Sequence, residues 1–197
     1  MCGRYYVDVS NDDLSFLSNY GEIKYEQNFN VAPQTKAPCI IDNNLVVANW
    51  GYFPDWLKKQ SNPRPLFNTR YESLLEKKTF TSAFNNSRCL IPISGWYEWK
   101  EEEGVKQPYF FFSNSQKILF AAGLFWNRSS GDIETSIITR EAVTELQTIH
   151  SRSPLLLTPK QKDFWISKAP SEDIYNETVS YTHLRAHETR GNLVCRL

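Results

Sequence analysis

The chain has 197 residues, 41% of them apolar and 22% charged, which suits a single soluble domain with a sizeable core and excludes a disordered chain. Its 22 basic and 22 acidic side chains cancel, so no global field draws it to nucleic acid or to an anionic membrane, and any polyanion site has to be a local patch. No apolar run reaches the roughly 18 residues of a membrane span, and Met1-Cys2-Gly3-Arg4 lacks the apolar stretch of a signal peptide, so the expected location is cytoplasmic.

In chain order, segments rich in aromatic and β-branched residues and bounded by Asn, Gly, Pro or Ser predict strands at 3–9, 37–41, 45–50, 89–93, 96–100, 109–113, 118–126 and 134–139. Helical patterning is sparser. It predicts helices at 12–20 behind an Asn11 cap, 71–76, 79–87, 142–146 and 158–167, the last with Pro159 at its first position. Glu101-Glu102-Glu103-Gly104, between two strand runs, predicts a hairpin tip. The sum is an α+β domain around a curved antiparallel sheet.

Val179–Leu197 resembles a translated sequencing-adapter read-through, so the genuine domain is expected to span 1–178 and the tail is set aside. Without it the chain is about two charges negative, and His150 is the sole histidine. Cys2, Cys39, Cys89 and Cys195 show no C-x-x-C spacing, which argues against a zinc ribbon or redox pair; neither metal nor cofactor is expected. No glycine-rich phosphate loop is present either.

Cys2 leads the candidates for chemistry. Removal of Met1 makes it a 1,2-aminothiol whose amine and thiol have ordinary pKa values of about 7.7–8.0 and about 8.5, so both are partly deprotonated near neutrality. Arg4 is placed to lower the thiol value further. Such a group condenses with an aldehyde to a Schiff base, which the thiol closes into a thiazolidine. A small buried hydrophobe at position 2 remains the plain alternative.

Glu98 lies in Gly95-Trp96-Tyr97-Glu98-Trp99, where strand alternation puts Trp96 and Glu98 on one face. A carboxyl hemmed by rings loses hydration and gains the raised pKa of a general acid and base; the alternative is a solvent-facing Glu on an edge strand. His150 sits where a helical segment passes into an extended one, a frequent place for active-site histidines and also for structural ones. Asn68 and Asn30 can orient a substrate or cap turns. Arg4, Arg70 and Arg152 neighbour these candidates, and Trp50 offers a stacking face. Arginines on phosphates with aromatic platforms under bases hold single strands, though surface Arg and core Trp explain the same pattern.

Taken together, Met1-Cys2-Gly3-Arg4-Tyr5, Asn30-Val31-Ala32-Pro33, Trp50-Gly51-Tyr52, Phe67-Asn68-Thr69-Arg70 with Glu72, Gly95-Trp96-Tyr97-Glu98-Trp99, Ile137-Ile138-Thr139 and Ile149-His150-Ser151-Arg152-Ser153-Pro154 resemble the SOS response-associated peptidase family, known by its SRAP domain. The resemblance runs from Met1 to about Tyr175. It implies a β-barrel-like sheet flanked by helices, and a sensor that shields abasic sites in single-stranded DNA through a covalent thiazolidine cross-link at Cys2. It further implies that Asn68 positions Cys2, Glu98 moves protons, and His150 assists sugar ring opening, with Arg4, Pro33, Trp50, Arg70, Thr139 and Arg152 lining the DNA surface. The implied state is a monomer, nucleoid-associated if prokaryotic, with single-stranded abasic DNA as partner. Relatives carry a further C-terminal strand region, so the chain is expected to be truncated there. Two other functions stay open: a cysteine autopeptidase or hydrolase with Cys2 as nucleophile, and a reversible single-strand binding module.

Overall fold

The computed structural model describes residues 2–9, 17, 19–184 and 193–195. Its strands are β1 (Arg4–Val7), β2 (Asn28–Val31), β3 (Lys36–Ile41), β4 (Asn44–Trp50), β5 (Asn68–Arg70), β6 (Arg88–Ile93), β7 (Gly95–Glu102), β8 (Val105–Ser113), β9 (Leu119–Asn127), β10 (Ile133–Glu141), β11 (Arg152–Pro154), β12 (Leu156–Leu157) and β13 (Leu193–Cys195). Helices are α1 (Asp55–Lys58), α2 (Lys78–Asn86), α3 (Thr144–Gln147), α4 (Pro159–Trp165) and α5 (Ser171–Leu184), with a 3-10 turn at Tyr71–Ser73. Among the described residues no helix is long and apolar enough to cross a membrane.

Five strands close on themselves, because β10 pairs with β4 at one side and β9 at the other while β4, β3, β6 and β9 pair in succession. Closure removes the edges that an open sheet leaves unpaired. A second sheet, ordered β13-β8-β7-β1-β2, lies against this barrel. The fold class read from the sequence is the one observed. Alternation did not reveal two parallel pairings, β10 with β4 and β10 with β5. Both matter for the site, since they let β10 carry strands that arrive from distant parts of the chain.

Odd-numbered residues of β3, β6 and β9, among them Cys39, Ile91 and Ala121, share a core with Tyr5, Val7, Trp96 and Phe111 of the second sheet. Even-numbered neighbours Ile40, Leu90, Ala122 and Leu124 pack outward against Phe80, Ala83 and Phe84 of α2, Trp165 of α4 and Ile174 of α5. Burial on both faces is why these strands read as unbroken apolar runs rather than alternating ones. Gly123 serves that packing, because a Cβ there would lie 2.8 Å from Cys89 Sγ and from Ile91 Cδ1.

The hairpin tip is a two-residue turn in which Glu103 and Gly104 have φ of 51° and 80°, the tight form whose twist suits β7 and β8. At α4, Thr158 caps Gln161 N–H while the Gln161 side chain accepts from the Thr158 N–H, with Pro159 in the first turn as predicted. The predicted helix at 71–76 is only the 3-10 turn. The predicted helix at 12–20 lies mostly outside the described residues. Of the tail set aside from the sequence, the α5 backbone continues to Leu184 and β13 pairs with the edge of β8; residues 185–192, 196 and 197 lie outside the described residues.

Candidate active site

Cys2, just ahead of β1, is completely buried. Asn68 opens β5, and its Nδ2 donates to the Cys2 carbonyl at 2.7 Å, joining residues 66 positions apart. Asn68 Oδ1 is buried and accepts from no group among the described residues. A buried acceptor left empty in a folded protein calls for a reason, and here it faces the same neighbourhood as Cys2.

Glu98 occupies the buried face of β7 beside Trp96, as alternation predicted, and is 2% exposed. Desolvation pushes its carboxyl up to about 7. His150 Nε2 lies 3.9 Å from Glu98 Oε2. The Arg152 backbone N–H donates to His150 Nδ1 at 3.0 Å, so in the neutral ring Nδ1 is the acceptor and Nε2 carries the proton that faces Glu98. Burial lowers the imidazole pKa further, which favours that neutral ring.

The Cys2 thiol behaves differently from the sequence expectation. Burial first, then the charge of Glu98, pushes it well above its ordinary range. Its Sγ faces the Arg4 carbonyl at 3.9 Å, and the Arg4 guanidinium turns back to the Gly3 carbonyl at 2.7 Å instead of supporting a thiolate. The group is a buried thiol.

Of the residues expected to line DNA, Arg4 and Pro33 are half-buried and Arg70 is exposed. Register brings the first two together, because Tyr5 pairs with Val31 and so carries Pro33 to the Cys2 end of β1. Trp50 and Thr139 are corrected. Trp50 is 1% exposed, its ring edge-on to Tyr5 and Phe67 and its Nε1 donating to the Phe67 carbonyl at 2.8 Å. It therefore has no face free for a base. Thr139 is fully buried, and its hydroxyl reaches the Thr69 carbonyl at 3.5 Å. The two residues grip the carbonyls on either side of Asn68, and Thr69 Oγ1 adds a 2.8 Å bond to Ser136 Oγ. Their observed work is to hold the Asn68 strand.

Arg152 is also committed. Its fork is bidentate to Glu72 at 2.8 and 2.9 Å, and Nη2 reaches the Thr139 carbonyl at 2.6 Å. Glu72 appeared in the sequence as part of a motif without a role; its four-residue spacing from Asn68 was the available signal. Asn30 is exposed on β2, its N–H bonded to Asn28 Oδ1. Among the described residues no group of three or more His, Cys, Asp or Glu is placed to hold a metal ion.

The family model for SOS response associated peptidase (SRAP) matches residues 1–192. The chain is 29% identical over 192 residues to the abasic site processing protein YoqW of Bacillus subtilis, covering 91% of this chain and 86% of the relative. It is 32% identical over 180 residues to the abasic site processing protein YedK of Escherichia coli, covering 84% and 79%. In structure it resembles a crystallised protein from Bacteroides thetaiotaomicron with a TM-score of 0.74 at 22% identity, over 88% of this chain and 85% of that one. The motifs gathered around Cys2, the closed barrel that holds them and the match along nearly the whole chain establish that this protein belongs to the SRAP family.

Proposed function

We propose that the protein processes abasic sites in single-stranded DNA by forming a covalent cross-link through Cys2 once Met1 is removed. The observation that carries this reading is the convergence of Asn68, Glu98 and His150 on Cys2 from three separate strands and turns. The names of the relatives support the substrate class.

The ring-opened abasic sugar presents an aldehyde at C1′. The Cys2 α-amine adds to that carbon, and loss of water leaves the imine. The Cys2 sulfur then bonds to C1′ while its proton passes to the imine nitrogen, closing the thiazolidine. A carboxyl titrating near 7 suits both transfers, donating to the departing hydroxyl and accepting from nitrogen or sulfur. Neutral His150, with Nε2–H aimed at Glu98, is suited to relay a proton between Glu98 and the sugar oxygen during ring opening. Asn68 holds the Cys2 carbonyl and leaves Oδ1 to accept from the amine or from a sugar hydroxyl. Arg4 and Arg70 supply the charge for neighbouring phosphates.

The autopeptidase alternative needs a thiolate paired with an imidazolium. The raised thiol and the imidazole held between Arg152 N–H and Glu98 favour the cross-link instead. The test is a uracil-containing single-stranded oligonucleotide treated with uracil glycosylase and mixed with the protein. An adduct that survives denaturing electrophoresis is expected, absent with Cys2→Ala; an undiminished adduct in that variant rules the reading out.

A further inference from the structure

We propose that Glu72, acting through Arg152, is a positioning residue that fixes the tautomer and direction of His150 and locks the His150 turn to the Asn68 strand. The chemical consequence rests on the function proposed above; the geometric claim does not.

Asn68 and His150 are brought in by different stretches of chain. Asn68 rides on β5, which runs parallel to β10, with Arg70 opposite Thr139. His150 ends the turn before β11, which lies antiparallel to β10 with Arg152 opposite Glu141. The ladder fixes β11 only from Arg152 onward, so His150 and Ser151 precede it. What orients the imidazole is the Arg152 N–H on Nδ1, and what orients Arg152 is its side chain.

That side chain crosses β10 at the Thr139 carbonyl and ends in the two-bonded fork on Glu72, four residues after Asn68. The pair thus closes a loop from Asn68 through Glu72 and Arg152 to His150. Two parallel charged bonds restrict a guanidinium in direction as well as distance. Arg152 is 15% exposed at its side chain and Glu72 53%, so the carboxylate is the accessible half of a clasp whose other half is sunk beside the site. The Arg152 bond holds the Glu72 carboxyl below its usual range against the opposing effect of partial burial, so it is charged at neutral pH. Arg70 faces the same carboxylate, while Arg140, between Glu72 and Glu141, is the other cation beside Arg152. Neither duplicates the fork.

The experiment uses uniformly 15N-labelled protein without DNA, with the His150 ring signals assigned by their loss in His150→Gln. The wild-type ring is expected to show one neutral tautomer, protonated at Nε2, titrating below the ordinary imidazole value. In Glu72→Gln, which keeps shape but not charge, the ring nitrogens are expected to move toward a mixture of tautomers. The titration midpoint should rise as the loosened ring regains water, and adduct formation should slow by about ten-fold or more. Wild-type ring shifts and midpoint in a folded Glu72→Gln would overturn the proposal. If that variant unfolds, Glu72→Asp, one methylene short of the fork, must show a smaller shift of the same kind, and an unshifted ring there overturns it equally. Should the wild type form no adduct at all, the functional reading fails while the tautomer result still decides this one.

Discussion

At the scale of single residues, the site works by where it withholds water. Glu98 sits among rings on a buried strand face, and its carboxyl is raised to about 7 by desolvation. A carboxyl whose folded pKa exceeds its unfolded value stabilises the fold fully below about 4.5 and loses that contribution as pH climbs through about 7. Wild-type stability in urea should therefore fall by about 3 kcal/mol between pH 4 and pH 8, and Glu98→Gln should remove most of that slope. An unchanged slope would place the ionisation elsewhere. Glu98 was legible because alternation along one aromatic strand decides its face. The Cys2 thiol was misjudged because a neighbouring Arg in sequence carries no information on where its guanidinium turns, and here it caps the Gly3 carbonyl.

At the scale of elements, β5 is three residues long and yet positions Asn68, so its neighbours have to supply what its own ladder lacks. Trp50 Nε1 and the Ile137 N–H both donate to the Phe67 carbonyl, and Thr139 reaches the Thr69 carbonyl. Trp50→Phe keeps most of the ring and deletes one buried donor, leaving the carbonyl to Ile137 alone. The expected stability loss is about 1–2 kcal/mol by denaturation, with adduct formation slowed more than binding of undamaged strand is weakened. Gly123→Ala tests the barrel in the same way. A new methyl against Cys89 and Ile91 should cost about 1–3 kcal/mol while leaving the adduct chemistry intact in whatever fraction stays folded.

The longer strands were legible because rings and branched side chains concentrate there. β5, β11 and β12 were not. Two or three residues are too few to show a period, and each exists because β9 or β10 offers a free stretch of ladder. Trp50 and Thr139 were assigned to a DNA surface for a related reason. One sequence cannot say which side of a closed barrel faces solvent, and both residues point inward.

At the scale of the whole molecule, the balance of 22 basic and 22 acidic side chains limits what electrostatics can contribute. With Trp50 buried and Arg152 clamped by Glu72, the cations left for phosphates near Cys2 are Arg4 and Arg70. Two contacts on a single strand give a slope of about −1.4 in log K against log salt. Fluorescence anisotropy with an undamaged oligonucleotide should find weak binding with roughly that slope, and a slope several times steeper would reveal a basic surface outside this site. Retention on damaged DNA then falls to the covalent bond, which salt does not screen.

The most direct test of the account is intact-mass spectrometry of the purified protein mixed with an abasic single-stranded oligonucleotide under denaturing conditions. The account predicts a species lacking Met1 and heavier by the oligonucleotide less one water, and its disappearance in Cys2→Ala. An adduct that retains Met1, or one that survives loss of the Cys2 sulfur undiminished, would contradict it.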